Sequence, residues 1–430
     1  MLKLTSYIPE GVADTHCSEF EMKENIITSV KNTMKTYGYR QVQTPTFEYY
    51  DLFTSVEGSV QRDEMFKFID GNGKILVLRP DVTTPIARMV AANYRNCTGY
   101  LKFSYVTNIF RINEEQSGLK KEFTQAGIEY LGNEKPDADA EAVAVGIKSL
   151  LNFGFKDFQI DLGQARYFKG LINELGISKE EQNKIRSLIE CKNFGELKSY
   201  LKHGKIPARL KEIIFEMPYL YGKPEEVIHQ ARKMACNQDM IEAIDNLRDV
   251  YIILKNYGYE QYISIDLGLI HHMDYYTGVI FKGYINNFGK PILSGGRYDN
   301  LTKQYGYYMP ATGFGLNIDE IMEVLRMKNL NKEYRCYTDY LVLYPEGNRE
   351  KGMSLAEKLR DRGFIVESDA NEENMKKHIQ NANYRNIREI IQVIGEELKI
   401  INIRNNQIYK DTIAQFLKNL DNDNILVSIH

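Results

Sequence analysis

The hydrophobic pattern of the chain changes once, at a polar stretch over residues 326–338, and this change predicts two domains. Before it, strand-like segments follow one another as hairpins with helices between them, which is typical of an α+β fold with an antiparallel sheet. After it, over residues 339–430, short apolar strands alternate with helical segments, which predicts a small α/β domain. A polar, helical stretch at about 168–257 interrupts the first domain, residues 1–325, and is interpreted as a helical insertion.

Several elements of the first domain can be placed from the pattern alone. Apolar residues at helical spacing in "CSEFEMKENIITSVKNTMKT" predict a helix of about 20 residues, which Gly38 ends. The segment "DGNG", residues 70–73, predicts a hairpin between two short strands. The segments "YLKFSYVTNIFRI" and "KEFTQAGIEYLG" predict two further strands joined by a polar loop.

The composition is that of an ordinary globular protein, with 43% hydrophobic and 26% charged residues. The five cysteines are far apart and form no CxxC pair, so we expect a reducing, cytoplasmic location and no zinc site. The formal net charge of −3 gives no reason to expect nucleic-acid binding. No apolar run is long enough for a membrane span, and the N-terminal residues do not have the pattern of a signal peptide.

The segment "LRPDVTTPIAR" places a carboxylate, Asp81, after a strand, with Thr83 two residues later. One interpretation is a binding residue that receives an ammonium group. The other is the start of a helix, where Asp and Thr are common and where Thr83 or Thr84 would be the cap. Spacing alone favours the second interpretation.

Polar residues on the two strands that follow could face one ligand. Arg111 and Gln125 lie on strands joined by a hairpin, so both can reach one face of the sheet, where Arg can clamp a carboxylate. The alternative is ordinary polarity of a surface hairpin. Tyr276, in "MDYYTGVIF", and Tyr298, in "SGGRYDNL", are further candidates, although such tyrosines are more often core residues. Adjacent histidines on a strand point to opposite faces, so we expect no metal at 271–272.

Taken together and in order, these segments resemble the catalytic core of histidyl-tRNA synthetase. The similar segments are "YGYRQVQTPTFEYYDLF", "LRPDVTTPIAR", "FRINEEQSGLKKEFTQAG", "MDYYTGVIF", "SGGRYDNL" and "ATGFGL". The resemblance covers about 325 residues and implies a class II aminoacyl-tRNA synthetase fold with a six-stranded antiparallel sheet flanked by helices. It also implies a dimer built around "TPTFE". The residues that it implies for binding free histidine are Asp81, Thr83, Arg111, Gln125, Tyr276 and Tyr298.

The chain departs from that family where ATP would bind. The residues at the corresponding positions are Asn113, Leu119, His271 and Glu320. Loss of one preorganised donor typically costs ~2.7–4 kcal/mol of transition-state stabilisation. A carboxylate 4 Å from a phosphate also replaces an attraction of roughly 4 kcal/mol with a repulsion. The sequence therefore predicts a kept histidine site and a lost ATP site.

This combination is similar to the regulatory subunits of ATP phosphoribosyltransferase. That resemblance implies a non-catalytic subunit without aminoacylation activity or cofactor, which acts in histidine biosynthesis. The partners that it implies are a short-form catalytic subunit, a second copy of this chain within a hetero-oligomer, and L-histidine as feedback ligand. The alternatives are an active histidyl-tRNA synthetase and a synthetase-like protein that senses histidine or tRNA.

The C-terminal region resembles a degraded anticodon-binding domain. Residues 326–430 contain 17 Lys and Arg against 16 Asp and Glu, a near balance that gives no basic surplus for tRNA. We therefore expect no tRNA partner and interpret the domain as one that contributes to stability or assembly.

Overall fold

The computed structural model describes residues 8–55, 60–112, 120–203, 206–270, 276–330, 338–370 and 375–427. The chain divides into two compact units. The first comprises Met1–Thr15 and Met22–Asn331, and the second comprises His16–Glu21 and Lys332–His430. Cysteines 17, 97, 191 and 236 are not in disulfides, and Cys336 lies outside the described residues.

A nine-stranded sheet, counted over the described ranges, forms the centre of the first unit. In sheet order its strands are β1 (Arg40–Gln41), β5 (Leu101–Phe110), β6 (Glu122–Leu131), β12 (Ala311–Asn317), β11 (Pro291–Arg297), β10 (Val279–Ile285), β7 (Phe158–Gln164), β9 (Ile263–Asp266) and β8 (Tyr221–Gly222). The six strands from β5 to β7 pair with one another in antiparallel orientation, which confirms the expected six-stranded core. Outside this core, β1 pairs in parallel with β5, β9 pairs in parallel with β7, and β8 pairs antiparallel with β9 at the edge.

The first unit also contains a separate three-stranded antiparallel sheet. It consists of β2 (Phe47–Tyr49), β4 (Ile75–Leu78) and β3 (Lys67–Ile69), and the predicted hairpin at 70–73 joins β3 to β4. Val77 is fully buried on one face of this sheet, against Phe53 and Met65. The other face carries Phe47, Tyr49 and Phe68, which remain 55%, 50% and 39% exposed, and we call these three residues the uncovered face.

The helices of the first part of the chain follow the apolar spacing of the sequence. The predicted 20-residue helix is present as the first of them, with buried residues at positions 22, 26, 27, 30, 33 and 34, and Gly38 follows it at a φ of +85°. The described residues between 165 and 256 are helical apart from short connections and β8. The helices are α1 (Cys17–Thr36), α2 (Tyr50–Thr54), α3 (Thr83–Asn93), α4 (Pro136–Asn152), α5 (Ala165–Leu175), α6 (Lys179–Glu190), α7 (Phe194–His203), α8 (Ala208–Glu216), α9 (Pro224–Met234), α10 (Gln238–Asn256) and α11 (Ile318–Met327).

The second unit has its own sheet, as the alternating pattern predicts. In sheet order the strands are β14 (Val366–Ala370), β13 (Tyr340–Tyr344), β15 (Glu389–Ile394), β16 (Glu397–Asn402) and β17 (Ile408–Thr412), and the helices are α12 (Arg349–Arg360), α13 (Met375–Tyr384) and α14 (Ile413–Val427). Alternate residues of β13 point to opposite faces, so Val342 packs with α12 and α14 while Leu343 packs with α13. Among the described helices of the chain, none combines the length and apolar character needed to cross a membrane.

Candidate ligand-binding site

One cavity in the first unit brings the predicted binding residues together. It has a volume of about 220 Å³ and lies on the sheet beside the start of α3. Ligand pockets for drug-sized molecules typically measure roughly 300–1,000 Å³, so this cavity suits a smaller ligand. All six residues expected from the sequence line it, namely Asp81, Thr83, Arg111, Gln125, Tyr276 and Tyr298.

The floor of the cavity is made by β6, β11 and β12, and its space depends on glycines. In the antiparallel register Gly313 of β12 lies opposite Glu129 of β6, and Gly315 lies opposite Gly127, two residues from Gln125. A Cβ at Gly313 would lie 2.2 Å from the Glu129 carboxylate, and a Cβ at Gly315 would lie 2.6 Å from the Gln125 amide nitrogen. Both distances are far below van der Waals contact. The side chains of Glu129 and Gln125 therefore fit only because positions 313 and 315 of β12 carry no side chain.

Asp81 takes part in the start of α3 and also lines the cavity. Its Oδ1 accepts a hydrogen bond from the Thr84 backbone N–H at 2.8 Å, and its Oδ2 accepts from the Thr84 hydroxyl at 3.1 Å. The expected Thr83 or Thr84 cap is wrong, because Val82 occupies the N-cap position without a side-chain bond and the carboxylate one residue earlier takes that role. Asp81 also lines the cavity, where burial raises its pKa while Thr84 and the nearby Arg111 oppose the shift.

Two arginines near Asp81 have different tasks. Arg79 is buried, and its guanidinium donates to the backbone oxygens of Thr44 at 2.9 Å, Pro45 at 3.0 Å and Asn108 at 2.8 Å. It therefore fixes the chain that leads to Asp81 and does not face the cavity. Arg111 donates through Nε to the Pro80 oxygen at 2.8 Å, which holds its guanidinium on the cavity wall.

Glu129 is a cavity residue that the sequence-based predictions missed. It is 1% exposed, and it accepts hydrogen bonds from the Thr83 hydroxyl at 2.7 Å and from the Tyr298 hydroxyl. Burial raises the pKa of Glu129 to about 8, although these two hydrogen bonds lower it. The available signal was the single acidic residue of the segment "QAGIEYL", four positions after Gln125 and thus on the same sheet face.

Tyr105 is the second missed residue of the wall. Its hydroxyl donates to the Gln125 side-chain oxygen at 3.1 Å, which orients that amide in the cavity. Burial raises the pKa of Tyr105 well above its usual value. The phenol therefore remains a hydrogen-bond donor at physiological pH.

Of the four positions where the sequence predicts loss of an ATP site, only Glu320 lies in the described residues; Asn113, Leu119 and His271 lie outside them. Glu320 sits in the first turn of α11 and is not among the residues that line the cavity. Its Oε1 lies 3.5 Å from the Lys290 Nζ, and burial raises its pKa. Helix N-termini favour anions, and here a carboxylate of the chain itself takes this place.

Within the ranges described, no group of three or more His, Cys, Asp or Glu side chains could hold a metal ion. The cavity instead offers two carboxyl groups, one guanidinium, two amides, three phenols and two aliphatic hydroxyls, the polar groups of Asp81, Glu129, Arg111, Gln125, Asn317, Tyr105, Tyr276, Tyr298, Thr83 and Ser294. This set matches a small molecule that carries both a cationic and an anionic group.

Comparison with known proteins identifies the family. The family model described as histidyl-tRNA synthetase matches residues 11–321. A protein of Acetivibrio thermocellus named ATP phosphoribosyltransferase regulatory subunit is 40% identical over 413 residues, which cover 96% of this chain and 98% of the relative. The chain belongs to the ATP phosphoribosyltransferase regulatory subunits of the histidyl-tRNA synthetase family. A second regulatory subunit, from Ruminiclostridium cellulolyticum, is 37% identical over 96% of this chain and 98% of its own length.

Solved structures show the same architecture. A Bacillus halodurans protein described as an ATP phosphoribosyltransferase regulatory subunit/histidyl-tRNA synthetase superposes with a TM-score of 0.81 at 30% identity. The match covers 91% of this chain and 99% of that structure. A histidyl-tRNA synthetase from a Nostoc species has a TM-score of 0.82 at 18% identity over 98% of this chain and all of its own, and it shows the shared fold alone. The class II synthetase fold expected from the sequence is thereby confirmed.

Proposed function

We propose that this chain is the non-catalytic regulatory subunit of an ATP phosphoribosyltransferase and that it binds L-histidine in the cavity. The observation that carries the proposal is the convergence of Asp81, Thr83, Arg111, Gln125, Tyr276 and Tyr298 on one amino-acid-sized cavity. The relatives that are 37–40% identical over nearly the whole chain support the regulatory part of it.

The charges of the cavity fit the zwitterionic ligand. Arg111 supplies a guanidinium for the ligand carboxylate, since guanidinium binds carboxylate in bidentate geometry. The carboxylates of Asp81 and Glu129 supply the negative charge that the ammonium group and a protonated imidazole require. Gln125 and the tyrosines add neutral donors and acceptors, which suit the two different nitrogens of an imidazole ring.

The nucleotide side supports the absence of aminoacylation. Glu320 and Asp319 occupy the first turn of α11, and Asp319 accepts from Lys120 at 2.8 Å and from the Thr124 backbone N–H at 2.7 Å. Lys290 faces Glu320, so Lys120 and Lys290 both face carboxylates of the chain. A triphosphate placed there would meet repulsion from two carboxylates of the chain.

The partners follow from the same reasoning. We propose a cytoplasmic hetero-oligomer with a short-form catalytic subunit, in which two copies of this chain form a dimer. The uncovered face supports the dimer, because it exposes Phe47, Tyr49 and Phe68 to solvent and the first two of these lie on the strand that follows "TPT". We propose no role in tRNA binding for the C-terminal unit, which the balance of its charges supports.

Calorimetric titration of the purified chain with L-histidine, and separately with Mg-ATP, tests the proposal. We expect histidine to bind and Mg-ATP to give no detectable heat. The variant Arg111→Gln removes the guanidinium and should abolish histidine binding, whereas Arg166→Gln, at an exposed ion pair with Glu242, is the matched control and should bind normally. Tight ATP binding would refute the loss of the nucleotide site, and normal histidine binding by Arg111→Gln would refute the assignment of the cavity.

The partner is tested by activity. A short-form ATP phosphoribosyltransferase catalytic subunit from the same genome should gain activity when this chain is added, and histidine should inhibit the complex. A catalytic subunit that is equally active alone would contradict the regulatory role.

An active histidyl-tRNA synthetase remains the second candidate, because the family model matches residues 11–321 and the polar groups for histidine are complete. Histidine-dependent exchange of pyrophosphate into ATP distinguishes the two. We expect none, and exchange at a rate typical of a synthetase would select the second candidate.

A further inference from the structure

A buried ion pair lies behind the cavity without lining it. Arg297, the last residue of β11, and Asp139, in the first turn of α4, are 6% and 0% exposed at their side chains. The Arg297 Nε lies 3.1 and 2.9 Å from the two carboxylate oxygens of Asp139. Replacement of such a pair by apolar residues is often neutral for stability, so stability alone does not explain it.

The remaining donors of the guanidinium reach three other points of the chain. Nη1 donates to the Asn133 backbone oxygen at 3.0 Å and to Asp299 at 3.1 Å, and Nη2 contacts the Lys135 backbone oxygen at 3.4 Å. Arg297 thus ties the end of β11 to the start of α4 and to the connection that precedes it.

The same group of residues is bonded directly after Tyr276 and on both sides of Tyr298. The Thr277 N–H donates to the Arg297 backbone oxygen at 2.7 Å. The Thr277 hydroxyl donates to the Asp299 carboxylate at 2.8 Å and accepts from the Asp299 N–H at 3.0 Å. Thr277 directly follows Tyr276, while Arg297 and Asp299 flank Tyr298.

Packing makes this connection close. A Cβ at Gly278 would lie 2.9 Å from the Arg297 Cδ, so the segment after Tyr276 rests directly on the arginine side chain. Tyr298 in turn donates to Glu129, and its backbone N–H donates to the Ala311 oxygen at 2.7 Å. The Arg297–Asp139 ion pair and the residues bonded to it therefore hold the backbone next to both tyrosines.

We propose that Arg297, Asp139, Asp299 and Thr277 form a positioning clamp that fixes Tyr276 and Tyr298 on the wall of the cavity. The part of the proposal that concerns histidine affinity rests on the histidine-binding function proposed above. The clamp residues touch no ligand; they act through the two phenols, and they join α4 to the segment at 276–278 that borders the cavity.

The test separates position from stability by means of Thr277, which can be changed while the ion pair stays intact. Thr277→Val removes the hydroxyl that bonds Asp299. Thr302→Val is the matched control, because the Thr302 hydroxyl makes the same pair of bonds, to the Met309 oxygen at 3.0 Å and from the Met309 N–H at 2.8 Å, outside the clamp. Thr277→Ser restores the hydroxyl.

The first readout needs no ligand. Tyrosine labelled with ¹³C, with signals assigned through Tyr276→Phe and Tyr298→Phe, reports the surroundings of each ring by NMR. We expect Thr277→Val to shift both ring signals and Thr302→Val to leave them unchanged. Unchanged signals in Thr277→Val would overturn the clamp, whether or not the chain binds histidine.

The second readout is histidine affinity by calorimetry. We expect Thr277→Val to raise the Kd about tenfold, which corresponds to about 1.4 kcal/mol, with Thr277→Ser near the wild-type value. Thr302→Val should lower the melting temperature by a similar amount to Thr277→Val and leave the Kd unchanged. Equal Kd values for wild type and Thr277→Val would overturn the effect on binding. Failure of the wild type to bind histidine would overturn the proposed function, and the NMR result alone would then decide whether the clamp positions the tyrosines.

Discussion

Histidine binding should release a proton from Glu129. Burial raises the pKa of this carboxyl to about 8 in the empty cavity. At pH 7, one unit below, about nine in ten molecules therefore carry the proton. A cationic ligand group beside a buried carboxyl favours its ionised form, so the bound state should hold Glu129 ionised.

The sign and size of the pH effect follow. Below about pH 8 the ligand must displace the proton, which costs about 1.4 kcal/mol for each unit of pH below the pKa. The contribution of Glu129 to affinity should therefore rise about tenfold from pH 6 to pH 7 and become constant above pH 8. At pH 7 the release from Glu129 alone should be about 0.9 proton per histidine bound.

Calorimetry at pH 7 in phosphate and in Tris measures this release, because the two buffers differ in ionisation enthalpy. The Glu129→Gln variant keeps the shape of the side chain and removes its titration, so its proton release gives the contribution of all other groups, such as the ligand's imidazole and Asp81. Glu122→Gln, on the same strand and outside the cavity, is the control. Equal release by wild type and Glu129→Gln, or a wild-type affinity that does not change between pH 6.5 and 8 beyond the change seen in Glu129→Gln, would refute the reasoning.

Three further substitutions test the cavity and its support. Gly313→Ala should reduce histidine affinity at least 100-fold in calorimetry, because the added methyl would lie 2.2 Å from Glu129, while Gly289→Ala, which meets no atom within 4 Å, should bind normally. Thr83→Val removes the hydroxyl bonded to Glu129 and should weaken binding about tenfold, for a lost hydrogen bond of about 1.4 kcal/mol. Arg79→Met leaves three backbone oxygens without their donor and should lower the free energy of unfolding by about 3 kcal/mol; an unchanged melting temperature would contradict its anchoring role.

Local patterns predicted those parts of the fold that depend on neighbouring residues. The 20-residue helix α1, the hairpin at 70–73 and the strands β5 and β6 all follow from spacing within short segments. The six cavity residues were found because they lie in segments that resemble a known family, whereas spacing alone favoured the start of a helix, capped by Thr83 or Thr84, for the segment that contains Asp81. The structure shows that Asp81 bonds the first turn of α3 and lines the cavity, and this could not be read from the sequence because it depends on the Thr84 bonds and on the far wall of the cavity.

The residues that were missed depend on pairings across long stretches of chain. Glu129 becomes a cavity residue only because β6 pairs with β12, which places Gly313 opposite it. Glu320 meets Lys290 through the turn between β10 and β11, a contact that a motif comparison cannot predict. The partners Arg297 and Asp139 are 158 residues apart, and neither stands in a segment whose pattern points to the other.

The wide sequence separation of the cavity residues has a consequence for folding. Thr83 and Tyr298 bond the same carboxyl of Glu129 from 46 and 169 positions away. Such contacts form late, because the entropy of closing long loops must be overcome before they contribute. The cavity can therefore be complete only in chains whose first unit has folded almost entirely. A ligand present at 100 times its Kd would stabilise that folded unit by about 2.7 kcal/mol. Free histidine would then act as a folding aid that raises the amount of intact subunit in the cell when the amino acid is abundant.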